Sequence, residues 1–182
     1  MNTRPEGGDG GGPSPAPGAG KTPTVVTRTS NRETVVTRTF HAPARLVFEA
    51  WTTPALLKRW WTPRSMNLTL VGCEIDLRTG GGYRFEIVMG DAPPMVFLGR
   101  YLEVTPYSRL VWTNEESGDG PVTTITFEEQ EGRTLLTHHE LYPSKAALDE
   151  AIAQMPDDSL GEQFGQLDEV LANVGAGGGG GA

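Results

Sequence analysis

The acid–base side chains that stand closest together are His138, His139 and Glu140, in the run RTLLTHHE (133–140). A histidine beside a carboxylate can hold or move a proton, which is what general acid–base work on a carbonyl substrate requires. The run reads as a strand, where neighbouring side chains point to opposite faces, so at most one of His138 and His139 faces an interior cavity. Either of them with Tyr101 could serve such a reaction, but nothing in the spacing demands it. A lone strand histidine is more often a hydrogen-bonded structural residue. Three histidines and a single cysteine, Cys73, do not assemble a metal-ligand set, so no metal is expected. No hydroxyl sits in a nucleophile elbow or triad motif. RTGGGYR (78–84) precedes a strand, whereas phosphate-cradling glycines lead into a helix; it reads as a hairpin turn that needs positive φ. The chemistry leans away from an enzyme, and no cofactor is implied.

Aromatic side chains are the richer supply. Trp51, Trp60, Trp61, Phe85, Phe97, Tyr101, Trp112, Phe127 and Phe164 are large enough that most must be covered by protein or ligand. Burying one ring removes on the order of 150–250 Å² from water, an upper bound of several kcal/mol at ~25 cal/mol per Å². LLKRWWTP (56–63) places two tryptophans side by side, and adjacent helical residues diverge by about 100°. Leu57 stands four residues before Trp61, which assigns Trp61 to the core and Trp60 to the rim of an opening.

The elements that must position these rings follow from the hydrophobic period. ETVVTRTF (33–40) is a strand. HAPARLVFEAW and TTPALLKRWW read as two short helices, with Pro43 at a first-turn position, Thr53 able to cap and Pro54 opening the second helix. From residue 67 to 141 six strands follow on short turns, an antiparallel meander; YRFEIVM (83–89) puts Tyr83, Phe85, Ile87 and Met89 on one face. SKAALDEAIAQM reads as a short helix. Leu160, Phe164, Leu167 and Leu171 then make an apolar stripe down a long last helix. The order predicts an α+β fold: a curved seven-stranded antiparallel sheet gripping a C-terminal helix, with two short helices after the first strand and a cavity between sheet and helix.

Composition bounds the rest. Residues 1–30 hold 7 of the 24 glycines and 5 of the 14 prolines, and residues 174–182 read VGAGGGGGA. Both are expected to be disordered tails around a single domain at 31–173. The first 30 residues carry a net +1, which leaves −9 on the remainder, a poor match to a nucleic-acid backbone. No stretch approaches the ~20 apolar residues of a membrane span, and no signal-peptide pattern is present. One cysteine excludes an internal disulfide framework. The expectation is a soluble cytoplasmic monomer that binds neither nucleic acid nor membrane.

FHAPARLVFEAWTTPALLKRWWTP (40–63), DLRTGGGYRFEI (76–87), GRYLEVTPYSRLVWT (99–113) and EGRTLLTHHEL (131–141), in that order, resemble the activator-of-heat-shock-protein-90-ATPase-like branch of the START/polyketide-cyclase (helix-grip, SRPBCC, Bet v1-like) superfamily. The resemblance spans nearly all of residues 33 to 173. That family usually shows a Gly-Trp pair entering its last helix; GEQFGQL here places Phe164 in the aromatic role, which changes the far end of the pocket. The resemblance implies a deep, largely apolar cavity for lipids, aromatic polyketides or other bulky natural products. The residues expected to line it are Trp51, Trp60, Phe85, Ile87, Phe97, Tyr101, Trp112, Phe127, Phe164 and Leu167. It implies three functions: sequestration of an apolar or polyketide ligand, a co-chaperone of heat-shock protein 90, or a cyclase-like enzyme.

A small actinobacterial group that this chain also resembles neutralises enediyne antibiotics by being cleaved, and the Gly/Pro-rich ends suit a GC-rich source. The chemistry would be loss of an α-hydrogen from a glycine, unshielded by any Cβ, to a ligand diradical. Gly99 in mid-strand and Gly118 and Gly120 in a turn are the candidates, provided they stand at the cavity wall or mouth.

Overall fold

The computed structural model describes residues 22–115, 120–154 and 158–177. Its strands are β1 (Val25–Arg28), β2 (Glu33–Phe40), β3 (Leu68–Ile75), β4 (Gly82–Met89), β5 (Met95–Thr105), β6 (Arg109–Asn114), β7 (Val122–Gln130) and β8 (Arg133–Leu141). Its helices are α1 (Ala44–Thr52), α2 (Pro54–Leu57), α3 (Lys145–Gln154) and α4 (Ser159–Gly177). All strand pairs are antiparallel, in the order β1-β2-β8-β7-β6-β5-β4-β3. Short turns account for the meander from β3 to β8. The first long strand closes against the last, which leaves α4 to cover the sheet's apolar face.

The sheet has eight strands rather than the expected seven. The additional one, β1, lies inside the stretch that composition marks as a tail. It contributes almost no apolar burial, since all four of its residues are exposed. Polar anchors hold this segment instead. Thr22 Oγ1 donates to Thr39 O at 2.6 Å, Arg38 Nη1 donates to Thr24 Oγ1 at 2.8 Å, and Arg28 Nη1 pairs with Asp149 Oδ1 at 2.7 Å. Arg38 is itself buried and pairs through Nη2 with Asp168 on α4, so one guanidinium ties the N-terminal segment, β2 and the last helix together.

The core is the interface of sheet, α1 and α4. Phe164, Leu167, Val170 and Leu171 of α4 are buried against Phe40, Val47, Ile125 and Leu136. Thr53 does occupy the N-cap position of α2, but its side chain makes no capping bond, and α2 stops at Leu57. The chain from Lys58 onward continues as turns. No helix among the described residues is long and apolar enough to cross a membrane.

Candidate functional site

Between the inner face of the sheet and α4 lies a cavity of about 300 Å³. Strand register builds its floor in rows, because cross-strand partners share a face. Glu140 pairs with Thr123, Thr123 with Trp112, and Trp112 with Tyr101, giving one row from β8 to β5. His138, Ile125 and Leu110 make the next. On β4, Tyr83, Phe85 and Ile87 continue the wall, and Phe97 of β5 stands at its open side, 37% exposed. Phe164 and Gln163 close it from α4.

All four tryptophans of the chain line this one cavity. Trp51 is central: its ring centroid lies 4.9 Å from Trp60, 5.8 Å from Trp61 and 6.2 Å from Trp112. The tilted and edge-on geometries are those that aromatic quadrupoles favour. The adjacent pair is divided in the opposite sense to the expectation from Leu57. Trp60 is 1% exposed, and its indole N–H donates to Ala50 O at 3.0 Å. Trp61 is half-buried and leans on Phe85 at 5.6 Å. Trp60 is therefore the anchor and Trp61 the more open ring, because the indole N–H of Trp60 finds an acceptor in Ala50 O while the Trp61 ring rests on Phe85.

The segment that carries this pair is clamped to α4. Gln166 is buried; its Nε2 donates to Trp60 O at 3.0 Å and to Thr62 O at 2.9 Å, while its Oε1 accepts from Arg64 N at 3.0 Å. Gln163 Nε2 donates to Trp61 O. On the far wall, the RTGGG turn pairs backbone to backbone with Tyr101, whose N–H donates to Gly81 O and whose carbonyl accepts from Gly80 N, both at 2.8 Å. Gly80 has φ +83°, the conformation the turn requires.

Of the ten residues expected to line the cavity, eight do so. Phe127 and Leu167 do not. Phe127 is 5.5 Å from Phe48 and packs beneath α1, and Leu167 is fully buried in the core. Phe127 is on the inward face of the sheet yet covered by α1, and Leu167 is on the inward face of α4 yet packed in the core. Leu57, Trp61, Tyr83, Leu110, Asn114 and Thr123 line the cavity without having been singled out for it. Tyr83 is in phase with Phe85 and Ile87, and Thr123 with Ile125, so alternation carried the signal.

The strand geometry divides the two histidines. His139 faces outward and meets Glu33 Oε1 at 3.2 Å. His138 lines the cavity, and its Nε2 lies 3.6 Å from Glu140 Oε1, within ion-pair but beyond hydrogen-bond range. Neither His138 ring nitrogen, nor Trp51 Nε1, has a hydrogen-bond partner among the described residues. Tyr142 donates its hydroxyl to Glu140 Oε2 at 2.8 Å. Burial pushes the Glu140 carboxyl up, but the His138 ring and the Tyr142 hydroxyl together hold it below the usual carboxylate range. Burial raises the Tyr101 hydroxyl well above its ordinary value, so it stays protonated and does not act as a base at neutral pH. Among the described residues no group of three His, Cys, Asp or Glu side chains is placed to hold a metal.

The glycines separate as well. A Cβ on Gly99 would stand 2.2 Å from Tyr83 Cζ and 2.3 Å from Thr113 O, so the Tyr83 ring lies across the space a side chain would fill. Tyr83 is held there by its hydroxyl, 2.5 Å from Asn114 Oδ1. Gly99 is thus buried on the cavity face beneath a ring. Gly120 sits against Asn114, where a Cβ would meet Asn114 O at 2.8 Å. Gly118 lies outside the described residues.

A curved antiparallel sheet closed over a C-terminal helix, with an aromatic cavity between them, defines the helix-grip class. Residues 41–172 match the model of the family described as activator of Hsp90 ATPase homolog 1-like protein. The chain belongs to that family. Solved structures of the same fold include a protein from Rhodobacter sphaeroides (23% identity, TM-score 0.76, covering 84% of this chain and 99% of that one). A Mycobacterium smegmatis protein is 22% identical at TM-score 0.70, covering 84% of this chain and 99% of that one. An AHSA1-like protein from Aeromonas hydrophila is 21% identical at TM-score 0.56, covering 79% and 94%. Comparison with curated proteins finds no match.

Proposed function

We propose that this protein sequesters a bulky, largely apolar natural product in the cavity between sheet and α4, as a means of self-resistance, without turning the ligand over. The observation that carries this reading is the gathering of every tryptophan in the chain around one cavity. A core alone does not need its largest rings around a void, whereas a flat polycyclic ligand does. The volume, about 300 Å³, is at the lower end of small-molecule sites and suits a fused-ring system. Binding of aromatic polyketides and of an enediyne, followed by calorimetry and intact-mass analysis, tests the proposal. The expected result is stoichiometric binding and protection of DNA from the enediyne; failure to bind any of them contradicts it.

Discrete backbone cleavage on enediyne treatment would identify the sacrificial form of this resistance. The position of Tyr83 over Gly99 makes Gly99 reachable only if that ring swings aside. The family's description also keeps a chaperone role in view, and β5 offers Val96 and Leu102 as exposed apolar residues on its outer side. Stimulation of a heat-shock-protein-90 ATPase that survives filling of the cavity would favour that role over sequestration.

A further inference from the structure

The ionisable acid–base pair of the cavity, His138 and Glu140, stands on β8, while Asn114, Thr123 and Gln163 add neutral polar groups from β6, β7 and α4. Among the described residues Glu140 is its one carboxylate, and no lysine or arginine lines it. Tyr142 occupies Oε2 of that carboxylate, and Oε1 faces His138 Nε2 at 3.6 Å, beyond hydrogen-bond range. Glu140 is largely buried, with its side chain 22% exposed, yet its environment favours the ionised form. A buried carboxylate whose Oε1 meets only a histidine, charged only when protonated, can take a cation from a ligand as a further partner.

The rings supply the other half of such a site. Glu140 stands two strands from Trp112 in the same cross-sheet row, about 10 Å apart at the backbone, with only the small Thr123 between them. His138, two residues before Glu140 on the same face, stacks edge-on with Trp51 at 6.3 Å. A cation held at Glu140 Oε1 therefore lies within reach of tryptophan faces, which attract positive charge through the ring quadrupole. The orphaned Trp51 Nε1–H, on a residue 5% exposed, is a donor in want of an acceptor oxygen nearby.

Resting on the sequestration reading above, we propose that the ligand is an aromatic amine bound in its protonated form. Its ammonium sits between the Glu140 carboxylate and the tryptophan faces, and an ether or carbonyl oxygen of the ligand accepts from Trp51 Nε1. Anionic ligands are rejected, because among the described residues the wall offers no lysine or arginine to replace their hydration and one carboxylate to repel them.

Three naphthalene probes of one shape test this by calorimetry at pH 7 on the full chain: 2-naphthylmethylamine, 2-naphthylmethanol and 2-naphthoate. The amine is expected to bind at least tenfold more tightly than the alcohol, and the carboxylate more weakly than either. In Glu140→Gln the advantage of the amine over the alcohol disappears. Equal affinities, or a preference for the carboxylate, overturn the charge assignment and leave the cavity reading standing. An amine preference that persists in a Glu140→Gln protein still able to bind the alcohol overturns the role of Glu140. Failure of all three to bind removes the cavity reading beneath the proposal. The comparison on the wild-type chain decides the charge preference even if Glu140→Gln does not fold.

Discussion

Replacing Gln166 by leucine probes how the tryptophan segment is held over the cavity. Leucine is close to glutamine in volume, so the substitution opens little space and removes three hydrogen bonds. Their partners differ in exposure. Trp60 O lies in a fully buried setting, whereas the bonds to Thr62 O and Arg64 N are only partly buried. Orphaning the Trp60 carbonyl costs its desolvation, about 1–3 kcal/mol; the other two groups can rehydrate, at about 0.5–1.5 kcal/mol each. The expected loss is roughly 2–6 kcal/mol. In a chain of this size that lowers Tm by on the order of 10 °C. Urea denaturation followed by tryptophan emission measures it, with the midpoint falling at unchanged slope. A destabilisation below about 0.5 kcal/mol would refute the clamp, since surface substitutions commonly stay within that range.

Gly99→Ala forces its Cβ into the Tyr83 ring and Thr113 O, so a loss of about 1–3 kcal/mol is expected in thermal unfolding, and an unchanged Tm would contradict the packing described. In single-tryptophan variants, ligand should quench Trp61 more strongly than Trp60; the reverse order would restore Trp60 to the rim. Because the folded environment holds Glu140 below the usual carboxylate range, its ionised form stabilises the protein at neutral pH. That contribution fades as pH falls below the ordinary value of 4.5 and through the depressed folded one. The stability gap between wild type and Glu140→Gln should therefore shrink on acidification, and a gap constant from pH 7 to pH 3 would show that the carboxylate is not coupled to folding.

Much of the architecture was legible because burial imposes period. The meander strands alternate cleanly, and the stripe Leu160, Phe164, Leu167, Leu171 specifies which face α4 turns inward. What could not be read depends on contacts without a period. β1 has no apolar face to announce it; edge pairing and the buried Arg38 hold it in place. The Trp60–Trp61 division follows from Ala50 O accepting the Trp60 indole N–H, a contact that leaves no mark on residue spacing. Phe127 and Leu167 share the inward phase of true lining residues and differ only in being covered by α1 or packed in the core. Alternation on β8 allowed only one histidine inward but not which; the register with β2 and β7 turned His138 to the cavity and His139 to Glu33.

The central claim is that the cavity takes a flat apolar ligand, and its four tryptophans make it directly observable. With 5-fluorotryptophan incorporated, the protein should give four fluorine resonances, one for each of Trp51, Trp60, Trp61 and Trp112. Titration with 2-naphthylmethanol is expected to shift those of Trp51, Trp61 and Trp112 together along one saturable isotherm. Resonances that stay in place, or that drift without saturating, would contradict it.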